Sequence, residues 1–282
     1  MIPAPLASKY AALQQRLRQL DSTLVAFSGG VDSALVLQAA VETLGPARVL
    51  AVTGRSPAVP AAELAAAAAL ATEIGAAHEF LDTTEFDNPN YVANPANRCY
   101  FCKTDLYSRL VPLAERRGLA SVINGVNADD LGDYRPGLQA ATEHRVVAPL
   151  AECGITKAEL RQLAAGLGLS AADKPASPCL SSRVQYGEAI TPEKLARIEA
   201  AEAALRALGF RECRVRHHDA LARIEVPPPE IARLLSDDVR VAIERRLREL
   251  GYRYVTVDLR GFRSGSMNEV FLGDGLKRAA GA

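Results

Sequence analysis

Three short stretches carry side chains whose types and spacing suit phosphate or covalent chemistry. The first, Ser28-Gly29-Gly30-Val31-Asp32-Ser33, follows an apolar run and precedes a helical one. Glycines let a backbone turn tightly and approach an anion, and a helix start offers unpaired N–H groups and a favourable dipole. Ser28 and Ser33 add hydroxyl donors. A carboxylate beside a polyphosphate is repulsive unless a cation bridges them, which assigns Asp32 to Mg2+ or to ordering the loop. The glycine spacing is not the Walker pattern, and the plainer alternative is a strand-to-helix turn with Asp32 as its cap.

The second stretch, Gly125-Val126-Asn127-Ala128-Asp129-Asp130, runs on to Asp133, Arg135, Pro136 and Gly137. Asp130, with Asp32, offers carboxylates to Mg2+, and Arg135 offers a two-pronged fork to phosphate or to a substrate carboxylate. An acidic surface loop is the alternative. The third stretch, Lys174-Pro175-Ala176-Ser177-Pro178-Cys179-Leu180-Ser181-Ser182-Arg183, sets one thiol among prolines and hydroxyls with a cation on either side. Nearby cations favour the nucleophilic thiolate, so Cys179 and Arg183 are catalytic candidates. A buried structural cysteine would sit more naturally in an apolar strand. Cys99-Tyr100-Phe101-Cys102 is a single CxxC, open to zinc, iron–sulfur, redox and incidental readings alike. Cys153 and Cys213 read as core or surface thiols.

The elements that must position these residues alternate. Leu6–Leu20 has a helical apolar period, Thr23–Phe27 is a continuous apolar run, and Ser33–Leu44 is helical again. Further strands are expected at Arg48–Thr53, Ala77–Leu81 and Ser121–Asn124, separated by helical Ala61–Ile74 and Tyr100–Arg117. Such alternation predicts an α/β fold, a parallel sheet with helices on both faces and a ligand crevice outside the carboxyl ends of the strands. After Leu169 the pattern changes to a Pro-rich linker, then a helix over Pro192–Leu208 capped by Thr191. Strands over Glu212–His217 and Leu221–Val226, one or two helices in Glu230–Leu250 and a strand over Tyr252–Leu259 make a smaller α+β domain. The boundary is drawn at 1–185 and 186–282.

Composition narrows the function classes. The 282 residues carry 33 basic and 33 acidic side chains, with a slight acidic excess before Thr191 and a slight basic one after it. No broad field favours nucleic acid or an anionic membrane. No apolar run nears the roughly 20 residues that span a bilayer, and the N-terminal stretch lacks a secretory pattern, so a soluble, cytoplasmic chain is expected. Five cysteines without an export signal are expected to be free thiols or ligands.

The Ser28–Ser33 string resembles the pyrophosphate loop of N-type ATP pyrophosphatases. That resemblance implies ATP cleavage between the α and β phosphates, with AMP placed on a substrate oxygen. Phosphates are then expected at Ser28, Gly29, Gly30 and Ser33, near Gly125, and adenosine at Thr53 to Ser56. Together with Arg98–Lys103 (RCYFCK), GVNADDLGDYRPG and above all KPASPCLSSR, the resemblance narrows to the LarE family, ATP-dependent sulfurtransferases of nickel-pincer cofactor synthesis for lactate racemase. It extends through Arg214-Val215-Arg216-His217-His218 and Ala222-Arg223-Ile224-Glu225-Val226. The family adenylates a carboxylate of pyridinium-3,5-biscarboxylic acid mononucleotide, and a thiolate displaces AMP. Cleavage of that cysteine's Cβ–S bond then leaves a thiocarboxylate on the substrate and dehydroalanine in the protein.

By this resemblance Cys179 is the sulfur-bearing cysteine, and Arg214, Arg216 and Glu225 are active-site side chains shared between the two domains. Members with three cysteines are similar to enzymes holding a [4Fe–4S] cluster with one open iron, so Cys99, Cys102 and Cys179 are alternative cluster ligands. The implied partners are the pyridinium mononucleotide, further copies of the chain and a downstream nickel-inserting enzyme, with no nucleic acid or membrane. Two other readings compete. A tRNA-thiolating ATP pyrophosphatase should bring an RNA-binding module, and a non-catalytic ATP-binding regulator would need neither Cys179 nor the arginine pair.

Overall fold

The apolar run that starts at Thr23 forms the centre of a sheet because both of its faces are covered. A computed structural model of the chain describes residues 4–132 and 136–263. It divides into two compact units, Met1–Ser177 and Pro178–Ala282. In the first, strands β1 (Thr23–Ala26), β2 (Val49–Arg55), β3 (Ala77–Asp82) and β4 (Ser121–Ile123) form a sheet of order β3-β2-β1-β4. All its pairings are parallel, with Val25 opposite Ala51 and Ile123. The helices of this unit are α1 (Ala4–Arg18), α2 (Val31–Leu44), α3 (Ala61–Ile74), α4 (Pro89–Val92), α5 (Arg98–Arg116), α6 (Pro136–Glu143), α7 (Pro149–Glu152) and α8 (Lys157–Gly166).

Alternation along β1 decides which helices lie where. Val25 joins a core with Leu13, Leu17, Leu35, Leu37, Leu70 and Leu160, from α1, α2, α3 and α8. Leu24 joins Tyr107, Leu110 and Ala140, from α5 and α6. The sheet therefore has helices on both faces, as the alternating pattern predicts. Helices α6 to α8 are not expected from the sequence reading. Their signal is short-range: α8 is announced only by a capping box in which Thr156 Oγ1 accepts from Glu159 N while Glu159 returns the contact.

The second unit pairs β5 (Arg214–His218) with β6 (Leu221–Glu225) antiparallel, and β6 with β7 (Tyr254–Val257) parallel. Helices α9 (Pro192–Ala207), α10 (Ile231–Leu234) and α11 (Asp237–Glu249) complete it. Val215, Ala222, Ile224 and Val257 line the face that packs on Leu205, Ile243 and Leu247. Thr191 caps α9 as expected, accepting from Lys194 N at 3.3 Å. The division falls after Ser177 rather than after residue 185, because Arg183 is anchored in the second unit by Glu202 of α9. Cys179 therefore belongs to that unit.

Candidate active site

The phosphate loop stands between the end of β1 and the start of α2, with Gly30 as the helix N-cap. The first α2 residues, Val31, Asp32 and Ser33, have no intrahelical acceptor for their N–H groups. Ser28 N donates to Ser33 Oγ at 3.2 Å and Gly30 N to Ser28 Oγ at 3.3 Å, so donors converge inside the loop. Ser33 Oγ in turn donates to the Gly30 carbonyl at 3.0 Å. Two close approaches shape this cradle. Gly29, at φ +70°, lies against α3, where a Cβ would come within 2.9 Å of Ala67. A Cβ on Gly125, just past β4, would stand 2.7 Å from Ser33 N and 2.9 Å from Asp32 C. Both glycines are thus required by space, and the Gly125 stretch abuts the loop.

Asp32 is held by two residues from distant parts of the chain. Its Oδ2 pairs with Lys157 Nζ, at the start of α8, and its Oδ1 accepts from Asn127 Nδ2 at 3.0 Å. Asn127 also donates its backbone N–H to Asp130 Oδ2 at 3.1 Å, and Asp129 Oδ2 accepts from Lys157 N at 2.9 Å. Asp130 is buried and holds this turn, whereas the Asp32 side chain remains partly exposed at the mouth of the loop. Asp32 is a hard oxygen donor of the kind that suits Mg2+, with Lys157 and Asn127 on its two oxygens. Thr53 is buried in β2, donating to the Phe27 carbonyl at 2.8 Å and meeting His78 Nε2 at 2.9 Å. Ser56 accepts from Ala58 N at 3.2 Å. Arg135 lies outside the described residues, as does Asp133.

In the second unit the backbone of the Cys179 loop is held by Arg183 and Arg216. Cys179 is the N-cap of a short 3-10 turn, Leu180–Arg183. Arg183 is turned inward, away from the role of a free cation: its Nη1 donates to the carbonyls of Pro178 at 2.6 Å and Cys179 at 3.1 Å. Its Nε meets Glu202 Oε1 at 2.8 Å and its Nη2 meets Oε2 at 3.2 Å, with both side chains almost fully buried. Ser182, two residues before Val184, is tied to β5 by Arg216 Nη1, which donates to its carbonyl at 3.0 Å.

Arg214, Arg216 and His218 alternate onto one face of β5, opposite Glu225, Arg223 and Leu221 of β6. Arg216 Nη2 meets Glu225 Oε2 at 2.8 Å, and Arg223 reaches the other oxygen of Glu225 at 3.5 Å and pairs with Asp258. Burial, then the like charge of Arg183, lowers the pKa of Arg214, whose guanidinium lies 4.9 Å from the Phe262 ring centre. Arg214 Nη1 donates to the Cys213 carbonyl at 2.7 Å.

The CxxC occupies the first turn of α5. Cys102 Sγ contacts the Cys99 carbonyl at 3.4 Å. A hydrogen bond from Cys102, with the charges of Arg98 and Lys103, brings the Cys99 thiol down to about 5 against opposing burial. All five cysteines are free thiols. Among the described residues no three His, Cys, Asp or Glu side chains stand together as a metal-holding group. Likewise among the described residues, no helix is long and apolar enough to cross a membrane.

Sequence reasoning missed Lys157 and Glu202. Lys157 follows the capping threonine of α8, and Glu202 places a carboxylate on the otherwise apolar stripe Leu195, Ile198, Ala201 and Leu205 of α9.

The chain is similar to several known proteins. The family model described as NAD synthase matches residues 8–97, which include the phosphate loop. An uncharacterised protein of Synechocystis is 51% identical over 265 residues, 94% of this chain and 98% of that one. A protein of Methanocaldococcus jannaschii is 30% identical over 61% of this chain and 67% of its own. The pyridinium-3,5-bisthiocarboxylic acid mononucleotide synthase of Lactiplantibacillus plantarum is 42% identical over 94% of this chain and 96% of its own. On this likeness, spanning both units and the loop that carries Cys179, the chain belongs to the LarE family of ATP-dependent sulfurtransferases.

Proposed function

We propose that the chain adenylates a carboxylate of pyridinium-3,5-biscarboxylic acid mononucleotide and replaces its oxygen with the sulfur of Cys179, in synthesis of a nickel-pincer cofactor. The observation that carries this reading is the Cys179 loop, pinned through Arg183 to Glu202 and through Ser182 to Arg216, on the unit that bears the arginine face. A loop held at both ends keeps a nucleophile in one geometry.

The phosphate loop binds ATP with its N–H groups, and Asp32, relayed by Lys157 and Asn127, is the residue to hold Mg2+. That ion would neutralise charge on the departing pyrophosphate. A carboxylate oxygen attacks the α-phosphorus, the α–β bridge breaks and pyrophosphate leaves. Arg214 and Arg216 hold the anionic groups of the pyridinium mononucleotide by planar forks. The Cys179 thiolate then attacks the activated carbonyl, the C–O bond to AMP breaks and a thioester forms. Loss of the Cα proton and cleavage of the Cβ–S bond leave the thiocarboxylate and dehydroalanine. Asp130 keeps the Asn127 turn in place, and Arg183 holds the Cys179 backbone.

The CxxC lies in the first unit and Cys179 in the second, and the proposal carries the sulfur on Cys179 alone, with the CxxC outside the transfer step. The free thiols suit a reducing cytoplasm. Several copies of the chain acting together, and a nickel-inserting enzyme as the consumer of the product, complete the proposal. Its test is pyrophosphate release with ATP and the pyridinium substrate supplied together or singly. Release should require both, and Asp32→Ala should abolish it; release at the wild-type rate by that variant would remove Asp32 from the mechanism.

A further inference from the structure

The peptide between Gly29 and Gly30 is held from outside the phosphate loop. Lys174 Nζ donates to the Gly29 carbonyl at 3.1 Å and pairs with Glu63 Oε2 of α3 at 2.8 Å. Both charged groups are about three-quarters shielded, with side-chain exposures of 23% and 27%, so solvent screens this pair less than a surface one. The segment that carries Lys174 is itself anchored. Arg161 of α8 donates to the carbonyls of Ala172 at 2.7 Å and Lys174 at 3.2 Å. Ser170 is tied to Glu73 through its hydroxyl at 2.6 Å and its backbone N–H at 3.2 Å.

In a planar trans peptide the C=O and N–H bonds point in opposite directions. With the Gly29 carbonyl turned out to Lys174, the Gly30 N–H must face into the loop, and there it donates to Ser28 Oγ. A flip of this peptide changes ψ of Gly29 and φ of Gly30, now −83°, and glycine populates both signs of φ with little preference, so two glycines leave the peptide free to flip unless something outside fixes it. A flip would put a carbonyl oxygen where the cradle has a donor. It would then repel the pyrophosphate that the loop exists to hold.

We infer that Lys174, braced by Glu63, is a positioning residue for the pyrophosphate cradle, fixing the Gly29–Gly30 peptide so that Gly30 N–H faces the β- and γ-phosphates. This rests on the phosphate-loop part of the proposed function and on neither Cys179 nor the pyridinium substrate. Inorganic pyrophosphate and AMP are the probes, titrated calorimetrically into the full-length wild type and the variants Lys174→Met, Lys174→Arg and Glu63→Gln.

Lys174→Met should weaken pyrophosphate about tenfold, the worth of one charged hydrogen bond, and leave AMP within about twofold. In turnover the same variant should raise KM for ATP with kcat little changed, and Lys174→Arg should restore most of the pyrophosphate affinity. Equal weakening of both ligands, or wild-type pyrophosphate affinity in Lys174→Met, overturns the inference. Should Lys174→Met not fold, Glu63→Gln decides: selective loss of pyrophosphate supports the brace, and unchanged affinity overturns it. Wild-type protein that binds no pyrophosphate overturns the phosphate-loop reading as well.

Discussion

Gly125→Ala tests the phosphate loop by moving it, without removing any polar group. The added methyl would lie 2.7 Å from Ser33 N, 2.9 Å from Asp32 C and 3.0 Å from Ser33 Cα, all backbone atoms of the loop and the first turn of α2. Ordinary contact begins near 3.4 Å, so the two segments must part by about 0.7 Å. Overpacking of that kind costs about 1–3 kcal/mol of stability, less than a folded domain can lose. Catalysis should suffer more, because a misplacement near 1 Å costs about 100-fold, so adenylation should fall by roughly 30- to 100-fold. The assay is pyrophosphate release with saturating ATP and pyridinium substrate, beside urea unfolding to establish that the variant is folded. Gly132→Ala is the control, since a Cβ there meets nothing within 4 Å and should change neither quantity. Wild-type release by Gly125→Ala would refute the claim that the β4 end abuts and shapes the phosphate cradle.

Glu202→Gln leaves Arg183 buried without a counter-charge and should cost about 3–5 kcal/mol in urea unfolding. A loss below about 0.5 kcal/mol would show that Arg183 is satisfied by the Pro178 and Cys179 carbonyls alone. For pH, Cys99 is the group to follow. The Cys102 hydrogen bond, with the charges of Arg98 and Lys103, draws its thiol well below the ordinary range, so the thiolate is expected at neutral pH. Alkylation of Cys99, read by peptide mapping, should therefore be flat between about pH 6 and about pH 8, where an ordinary thiol gains about tenfold per unit. A tenfold rise per unit at Cys99 would contradict the assigned environment.

What the sequence makes legible is what lies close together along the chain. The strand–loop–helix around Ser28–Ser33 and the Thr191 cap are local patterns that appear where expected, and the strand expected over Glu212–His217 appears as Arg214–His218. The partners of those residues are set by tertiary packing instead. Lys157 meets Asp32 across 125 positions, and no short-range rule links them. Arg183 illustrates the same limit. Beside Cys179 in sequence it reads as a cation for the thiol, but Glu202, 19 positions on, draws it into the core, where burying a guanidinium demands a carboxylate. The pairing also explains why the chain divides before Cys179 and not after Gln185.

The central claim is that Cys179 gives its own sulfur to the substrate, and intact mass of the whole chain tests it most directly. Protein purified without oxygen would be weighed before and after turnover with ATP and the pyridinium mononucleotide, with peptide mapping to locate any change. The account predicts that each chain loses the mass of one hydrogen sulfide at Cys179, in one-to-one proportion to thiocarboxylate formed. Cys179→Ser should release pyrophosphate yet form no thiocarboxylate, because an alcohol is a far weaker nucleophile at neutral pH. More than one sulfur transferred per chain with the mass of Cys179 unchanged would contradict the account.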